Sequence, residues 1–301
     1  MKAIWGIDLG GTKIEGVVLE SRQNPIVLSR IRIPTEREKG YEHILNQIQL
    51  LLSKLSAETG LKPEKLGICT PGTLDPITGR MKNCNTTCLN DQALDKDLIG
   101  KLGIPVILMN DANCFAMAEA QMGIVPDIMP EAKIVFGVIM GTGLGGGIVV
   151  NGQVLNGRQG IGGEWGHMFL DESGGPCYCG MRGCVETVIS GPFLEKYYSS
   201  FSGITRSLPE IIDRHQNASD EAATNTVERL LHFFGKGIAQ VINVLDPDVI
   251  VLGGGLGNID LLYTQGVEEV KKHVFNLRLD TIFLKPKLGD SAGVFGAALL
   301  E

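Results

Sequence analysis

Apolar residues and glycines follow the same order in two separate stretches of the chain. The first, "IWGIDLGGTKIEGVVL" at residues 4–19, has two apolar runs around a glycine turn, which predicts a β-hairpin. The second, "VFGVIMGTGLGGGIVV" at residues 135–150, matches it when Gly6 is set against Gly137, because Gly10 then meets Gly141. A hairpin that occurs twice predicts two similar halves that face each other across a cleft.

Between and after these hairpins, helical and strand patterns alternate. Helices are predicted over 38–60, 112–123, 224–245 and 291–301, and buried strands over 65–70 and 104–110. Residues 246–255 are predicted to form a strand that runs into a glycine turn. Such alternation is typical of α/β proteins. We expect an N-terminal α/β domain over 1–118 and a C-terminal α/β domain over 119–301, with a hinge near 116–130. The last helix, about 290–301, is expected to pack back on the first domain.

Composition narrows the class of protein. Hydrophobic residues make up 44% of the 301 residues, charged residues 20%, and the net charge is −7. No run of Lys or Arg stands out, which argues against binding to nucleic acid or to a membrane surface. No signal peptide and no apolar run of membrane-spanning length is evident. We therefore expect a cytoplasmic protein whose seven cysteines stay reduced.

The glycine turns of the two hairpins are candidate phosphate-binding sites. Glycine leaves backbone N–H groups open to a phosphate, and the first turn adds the Thr12 hydroxyl and the Lys13 charge. Asp8 lies at the end of the first strand, where its carboxylate would repel bound phosphates. Mg²⁺ between them, bound to Asp8 directly or through water, would remove that repulsion. Two ordinary hairpins are the alternative interpretation. A third glycine turn, "LGGG", would suit a flat adenine against the backbone.

Together these features predict one ATP bound through both hairpins. The predicted nucleotide-binding residues are Gly6, Asp8, Gly10, Gly11, Thr12, Lys13, Gly141, Thr142, Gly143, Gly253, Gly254 and Gly255. The chain has no Walker A motif and no G-x-G-x-x-G after its first strand, so P-loop and Rossmann folds are excluded.

The stretch "GEWGHMFLDESGGPCYCGMRGCVE" at residues 163–186 has the side chains for a zinc site. His167, Cys177, Cys179 and Cys184 form a complete tetrahedral ligand set, which favours structural Zn²⁺ because no position is left for substrate. A redox pair would more often be C-x-x-C. Four unconnected side chains are the remaining alternative.

Two carboxylates flank these ligands. Glu164 precedes His167 by three residues and Glu186 follows Cys184 by two, so the metal would hold both in place. Carboxylates are strong acceptors for sugar hydroxyls, although ordinary surface charge is the simpler interpretation.

Asn110 and Asp111 lie where an apolar strand gives way to a helix. Polar residues at the carboxyl end of a strand face the ligand-binding crevice in open α/β sheets. Asp is equally favoured as a helix N-cap, so the residues alone leave a catalytic and a capping role for Asp111 open.

Taken together, these motifs resemble the ROK family of bacterial sugar kinases, in the actin-like ATPase superfamily. The resemblance covers essentially the whole chain and rests on "DLGGTK", "NDANCFAMAEA", "GTGLGGG", the histidine–cysteine block, "LDPDVIVLGGGL" and "GDSAGVFGAAL". It implies a two-domain, ribonuclease H-like α/β fold with a small zinc knuckle.

The resemblance also implies residue roles. The family's catalytic aspartate matches Asp111, which would accept the proton of a sugar 6-hydroxyl as that oxygen attacks the γ-phosphate of Mg·ATP. Asn110, Glu164, His167 and Glu186 would bind the sugar, and His167 would serve zinc and sugar with one nitrogen each. Within the family, the chain looks most like the fructokinase or mannofructokinase branch, so fructose is the expected substrate, with mannose as a further one. A homodimer is implied as well.

Other functions compete with this one. Within the family, a glucokinase or an N-acetylglucosamine or N-acetylmannosamine kinase is the main alternative, and a sugar sensor without catalysis is another. A repressor of the same family would need a helix-turn-helix before the first hairpin, and we expect none because that hairpin starts at residue 4. An actin-like chaperone or filament protein would not need the zinc ligands.

Overall fold

The computed structural model describes residues 2–218 and 220–300. The chain divides into two compact units, and each is discontinuous in sequence. Unit 1 comprises residues 1–131, 147–162 and 287–301; unit 2 comprises 132–146 and 163–286. The division into two functional domains at 118/119 stays a prediction.

Twelve strands and ten helices are found among the described residues. The strands are β1 (Ile4–Leu9), β2 (Lys13–Leu19), β3 (Val27–Pro34), β4 (Leu66–Thr70), β5 (Thr73–Leu74), β6 (Met81–Lys82), β7 (Val106–Asn110), β8 (Ile134–Met140), β9 (Leu144–Val150), β10 (Gln153–Val154), β11 (Val249–Gly253) and β12 (Ile282–Leu284). The helices are α1 (Tyr41–Thr59), α2 (Leu94–Leu102), α3 (Asp111–Gln121), α4 (Ile124–Ile128), α5 (Val185–Ile189), α6 (Gly191–Ser202), α7 (Leu208–Gln216), α8 (Glu221–Leu245), α9 (Gln265–Lys271) and α10 (Ala292–Ala298).

Two mixed sheets organise these elements, so the α/β class is confirmed. The first has the order β3-β2-β1-β4-β7, and the second has the order β10-β9-β8-β11-β12. In the first sheet β1, β2 and β3 are antiparallel neighbours, whereas β4 pairs parallel with both β1 and β7. In the second, β11 pairs parallel with β8 and with β12.

The predicted hairpin repeat is present. When Gly6 is aligned with Gly137, the end of β1 at Leu9 coincides with the end of β8 at Met140. Under the same alignment, the starts of β2 and β9 also coincide, and both strands have 7 residues. The glycine pattern therefore predicted the two turns at equivalent places.

Helix α1 covers one face of the first sheet with an apolar stripe. Ile44, Ile48, Leu51 and Leu55 follow the helical repeat and are fully buried in the core of unit 1. The helix ends at Gly60, whose left-handed φ of 71° is typical of a helix C-cap.

Helix α10 packs against the other elements of unit 1 at very short range. A Cβ added to Gly67 on β4 would lie 1.8 Å from the carbonyl oxygen of Ala297. A Cβ added to Gly296 would lie 1.9 Å from the carbonyl oxygen of Cys114 on α3. Glycine is therefore needed at both positions for steric reasons.

As for membranes, no helix within 2–218 and 220–300 combines the length and the apolar character that spanning a bilayer requires.

Candidate functional site

The first glycine turn lies between β1 and β2 in unit 1. The Gly10 N–H donates to the carbonyl of Lys13 at 3.0 Å, and a Cβ at Gly10 would lie 2.8 Å from that oxygen. Thr35 supports the turn from outside, since its hydroxyl donates to the Gly10 carbonyl at 2.7 Å. The turn is thus a fixed loop that leaves little room for side chains at its tip.

A basic residue missed by the sequence reasoning accompanies this turn. The Arg37 guanidinium lies 3.1 Å from where a Cβ on Gly11 would be. Arg37 is far from the "DLGGTK" motif in sequence, so no local pattern pointed to it. Gly6 is different: it lies inside β1, where a Cβ would come within 2.4 Å of the Ala298 nitrogen. Packing against α10 is the visible reason for glycine there.

Asp8 sits near the end of β1, opposite Glu15 of β2. Burial raises the pKa of Asp8 to about 6; the charges of Asp111 and Glu15 also raise it, while a hydrogen bond with the Cys69 thiol opposes the shift. Asp8 and Asp111 therefore share one electrostatic neighbourhood inside unit 1. A divalent cation would lower the cost of keeping such acidic groups charged.

The start of α3 shows which residue is its N-cap. The N-cap is Asn110, whose Oδ1 accepts a hydrogen bond from the Asn113 N–H at 2.9 Å. Asp111 is the first helical residue, is exposed, and accepts a 2.8 Å bond from the Ala112 N–H. Surrounding protein reduces the solvation of this carboxylate and raises its pKa.

The second glycine turn, in unit 2, opens on a large pocket. Gly141 and Thr142 line a cavity of about 780 Å³ together with Gly255. Its other lining residues are Gly191, Pro192, Glu195, Leu208, Pro209, Ile212, Asp213, Gln216, Leu256, Asn258, Ile259 and Asp260. The lining combines apolar side chains with carboxylate, amide and hydroxyl groups. Apolar surface with polar groups at its edge suits a flat heterocycle such as a nucleobase.

The three glycines predicted to contact adenine have different environments. Only Gly255 lines this pocket. Gly253 is the last residue of β11 and is buried. Gly254 has a φ of 76°, and a Cβ on it would lie 2.3 Å from the Met140 carbonyl oxygen. Glycine at 254 therefore allows the chain to turn after β11 while its backbone passes close to the end of β8.

Glu186 on α5 contacts the second glycine turn. Its Oε2 accepts a hydrogen bond from the Leu144 N–H at 2.9 Å, and a Cβ on Gly143 would lie 2.7 Å from that oxygen. The side chain is buried. One carboxylate thus connects the block at 163–186 with the turn at 141–143, a link that sequence reasoning missed.

Trp165 fixes the start of the same block. The indole N–H donates to the Gly145 carbonyl at 2.9 Å, and the ring packs edge-on against Phe136 at a centroid distance of 6.2 Å. Glu164 and His167, which lie on either side of this anchor, are half-buried. Both predicted sugar-binding residues belong to one short 3₁₀ turn, Trp165–His167: Glu164 is its N-cap and His167 is its last residue. The contacts of Trp165 hold this turn in place.

The predicted zinc ligands come together. The ligand atoms of His167, Cys177, Cys179 and Cys184 all lie within 4.8 Å of one another. His167 Nδ1 is 3.6 Å from Cys177 Sγ, and the Sγ atoms of Cys179 and Cys184 are 3.6 Å apart. No disulfide joins these cysteines, which are all free. One imidazole and three thiols at this spacing fit the tetrahedral ligand set that Zn²⁺ prefers.

Two glycines and a tyrosine shape this cluster. Gly180 and Gly183 have φ values of 91° and 69°, which other residues adopt rarely. The Tyr178 hydroxyl is 3.0 Å from His167 Nε2. If Nδ1, which lies beside Cys177, binds the metal, Nε2 is the nitrogen left for sugar, and in this structure it has a protein partner.

Comparison with known proteins identifies the family. The model of the ROK family matches residues 4–301, and the chain belongs to the ROK family. N-acetyl-D-glucosamine kinase from Aliivibrio salmonicida is 35% identical over 99% of both chains. The enzyme of the same name from Vibrio cholerae is also 35% identical over 99% of both chains.

Solved structures agree with this assignment. The ROK hexokinase from Thermus thermophilus is 31% identical, has a TM-score of 0.88, and the match covers 99% of this chain and 97% of that one. A ROK glucokinase from Streptomyces griseus, in complex with glucose and AMPPNP, is 26% identical with a TM-score of 0.75, covering 99% and 98%.

Proposed function

We propose that this chain is an ATP-dependent sugar kinase that phosphorylates the 6-hydroxyl of N-acetylglucosamine. The observation that carries the proposal is the full-length similarity to N-acetyl-D-glucosamine kinases at 35% identity. It favours the alternative raised in the sequence analysis over fructose, which was inferred from a likeness of short motifs. Glucose is the second candidate, because the similar Streptomyces griseus structure is a ROK glucokinase in complex with glucose.

We assign the nucleotide to the glycine turns and to the pocket beside the second of them. Backbone N–H groups at 10–12 and 141–143 would bind phosphate oxygens, with Thr12, Lys13 and Thr142 assisting. The base would occupy the cavity of about 780 Å³, whose lining includes both Thr142 and Gly255. Since the second turn itself lines this cavity, phosphate and base of one nucleotide would both fit there.

Asp111 is our candidate for the general base. It lies at the carboxyl end of β7, is exposed, and is not the residue that caps α3. A raised pKa makes its carboxylate a better proton acceptor for a hydroxyl. Asn110, Glu164, His167 and Glu186 would bind sugar hydroxyls; for Glu186 this means sharing the carboxylate with Leu144.

Two metals fit the residues present. Zn²⁺ would be held by His167 and the three cysteines, and with four protein ligands it would stabilise the loop rather than react. Asp8 would hold Mg²⁺, directly or through water, and a bound Mg²⁺ offsets negative charge on the phosphates.

A panel of sugars tests the proposal. ADP release from ATP is measured with N-acetylglucosamine, N-acetylmannosamine, glucose, mannose and fructose, and the product is identified by mass spectrometry. We expect the highest kcat/KM for N-acetylglucosamine. ADP release that does not depend on any sugar would contradict kinase activity, whereas preference for glucose would favour the second candidate.

A further inference from the structure

A second cluster of metal-ligating side chains lies outside the proposed active site, in unit 2. The ligand atoms of His232, Glu269 and His273 lie within 4.8 Å of one another. His232 comes from α8, Glu269 from α9, and His273 from the residues just after α9. Two imidazoles and one carboxylate are a common three-ligand set for zinc and similar cations.

A close approach of two helices brings these residues together. A Cβ on Gly235 of α8 would lie 2.6 Å from the Glu269 Cβ and 2.8 Å from its carbonyl carbon. Glycine at 235 therefore lets α9 lie directly on the α8 backbone. His232 precedes Gly235 by three residues, so it lies on the same face of α8 as this contact.

His273 is held in place by its backbone. Its N–H donates to the Val270 carbonyl at 3.0 Å, and its own carbonyl accepts a 3.2 Å bond from the Asn243 side chain. The same side chain accepts a 2.8 Å bond from the Phe275 N–H. On α8, Asn243 follows His232 by about three complete helical turns, so both side chains project from the same face of that helix. This face of α8 thus supplies one ligand and fixes the position of another.

Within the part of the chain that the structure describes, the ring of His273 has an unsatisfied nitrogen. Nε2 is buried and has no hydrogen-bond partner there. A buried polar atom without a partner is costly, and a metal ion would compensate for it. The rings of His232 and His273 lie 6.0 Å apart between centroids, at 77° to each other.

Nearby positive charges set the strength of such a site. Lys272 forms an ion pair with Glu269, and the charge of Lys236 acts on the His232 ring. These charges oppose hard cations held mainly by electrostatic attraction. They matter less for metals that bind imidazole nitrogen strongly, such as Zn²⁺, Co²⁺ and Ni²⁺.

We propose that His232, Glu269 and His273 form a second metal site, which binds Zn²⁺ or a similar divalent transition metal and fastens α9 to α8. With three protein ligands the coordination shell keeps a place for water. The site would therefore bind less tightly than the cysteine cluster and fill according to the free metal concentration.

Zinc titration of the purified full-length protein tests this proposal. Calorimetry is carried out on wild type, His232→Gln, His273→Gln and Glu269→Gln, with matched controls His215→Gln and Glu268→Gln. The wild type is expected to show one binding event in addition to any zinc uptake by the cysteine cluster. Both histidine variants should lose that event and Glu269→Gln should weaken it, while both controls keep it. Added zinc should also raise the Tm of wild type and controls more than that of His232→Gln.

Cobalt distinguishes the two clusters. Co²⁺ in the proposed site should give visible ligand-field bands without near-ultraviolet thiolate charge-transfer bands, because no thiolate is present, whereas Co²⁺ at the cysteines gives strong charge-transfer bands. Equal zinc binding by wild type and His232→Gln would overturn the proposal, as would cobalt spectra of wild type and His232→Gln that are identical at every cobalt concentration. His232 is exposed, so its variant should fold. The outcome is independent of kinase activity.

Discussion

At the residue scale, Asp111 is the side chain on which the proposed chemistry depends most. Its carboxylate is the proposed acceptor of the sugar proton, so Asp111→Asn removes the base but keeps size and shape. We expect kcat to fall by roughly 10²–10⁴-fold, the usual contribution of a general base. Affinity for the sugar, measured by calorimetry, should change little because the hydroxyl-binding residues remain.

A matched control is Asp280→Asn. Asp280 is exposed, and within the described residues its ion-pair partner is Arg278. It should keep full turnover. If Asp111→Asn retained near-normal kcat with a normal Tm, the assignment of the base would have to be abandoned.

Glu186 shows what a sequence can and cannot predict about a single residue. Its place beside the histidine–cysteine block suggested sugar binding, and its hydrogen bond to Leu144 was missed. The two residues are far apart in the chain, and neither has a pattern that points to the other. Arg37 beside Gly11 is a similar case. Contacts of this kind depend on packing, which local motifs do not encode.

At the element scale, the packing of α10 makes a steric prediction. Gly67→Ala places a methyl group 1.8 Å from the Ala297 carbonyl oxygen, and backbone must shift to admit it. We expect a loss of about 1–3 kcal/mol in the free energy of unfolding, the usual cost of overpacking. Urea denaturation followed by tryptophan fluorescence or circular dichroism measures it.

Gly100→Ala is the control, and it should change the free energy of unfolding in the opposite direction. Gly100 is an exposed residue within α2, and an added Cβ would meet nothing within 4 Å. Alanine should stabilise the protein by up to about 1 kcal/mol, because glycine disfavours helix. Equal effects of the two substitutions would contradict the close packing of α10.

The histidine–cysteine loop makes a prediction about metal. Cys184 is fully buried and immediately precedes α5, which carries Glu186. Cys184→Ser should lower tightly bound zinc from about one ion per chain to near zero. Since the loop presents Glu164, His167 and Glu186, the KM for sugar should rise and the Tm should fall.

Cys88→Ser is the matched control, because Cys88 is a free cysteine outside the cluster. It should keep both zinc, measured by mass spectrometry of the metal, and activity. A Cys184→Ser protein with undiminished activity and Tm would show that the loop does not need the metal.

At the scale of the whole molecule, the fold was largely predictable and the substrate was not. The hairpin repeat is visible without a structure, because glycines recur at equivalent places in both turns. Strands β4, β7 and β11 were visible as apolar runs. Sugar choice depends on a few side chains whose positions follow from packing, so short motifs suggested fructose where full-length similarity favours N-acetylglucosamine.

The most direct test of the central claim is the ratio of kcat/KM for N-acetylglucosamine to that for fructose, with ATP as phosphoryl donor. We predict a ratio well above one, with a sugar monophosphate as product and with most of the turnover lost in Asp111→Asn. A ratio below one would contradict the proposed substrate, and absence of phosphorylated product from every sugar would contradict the proposed kinase activity itself.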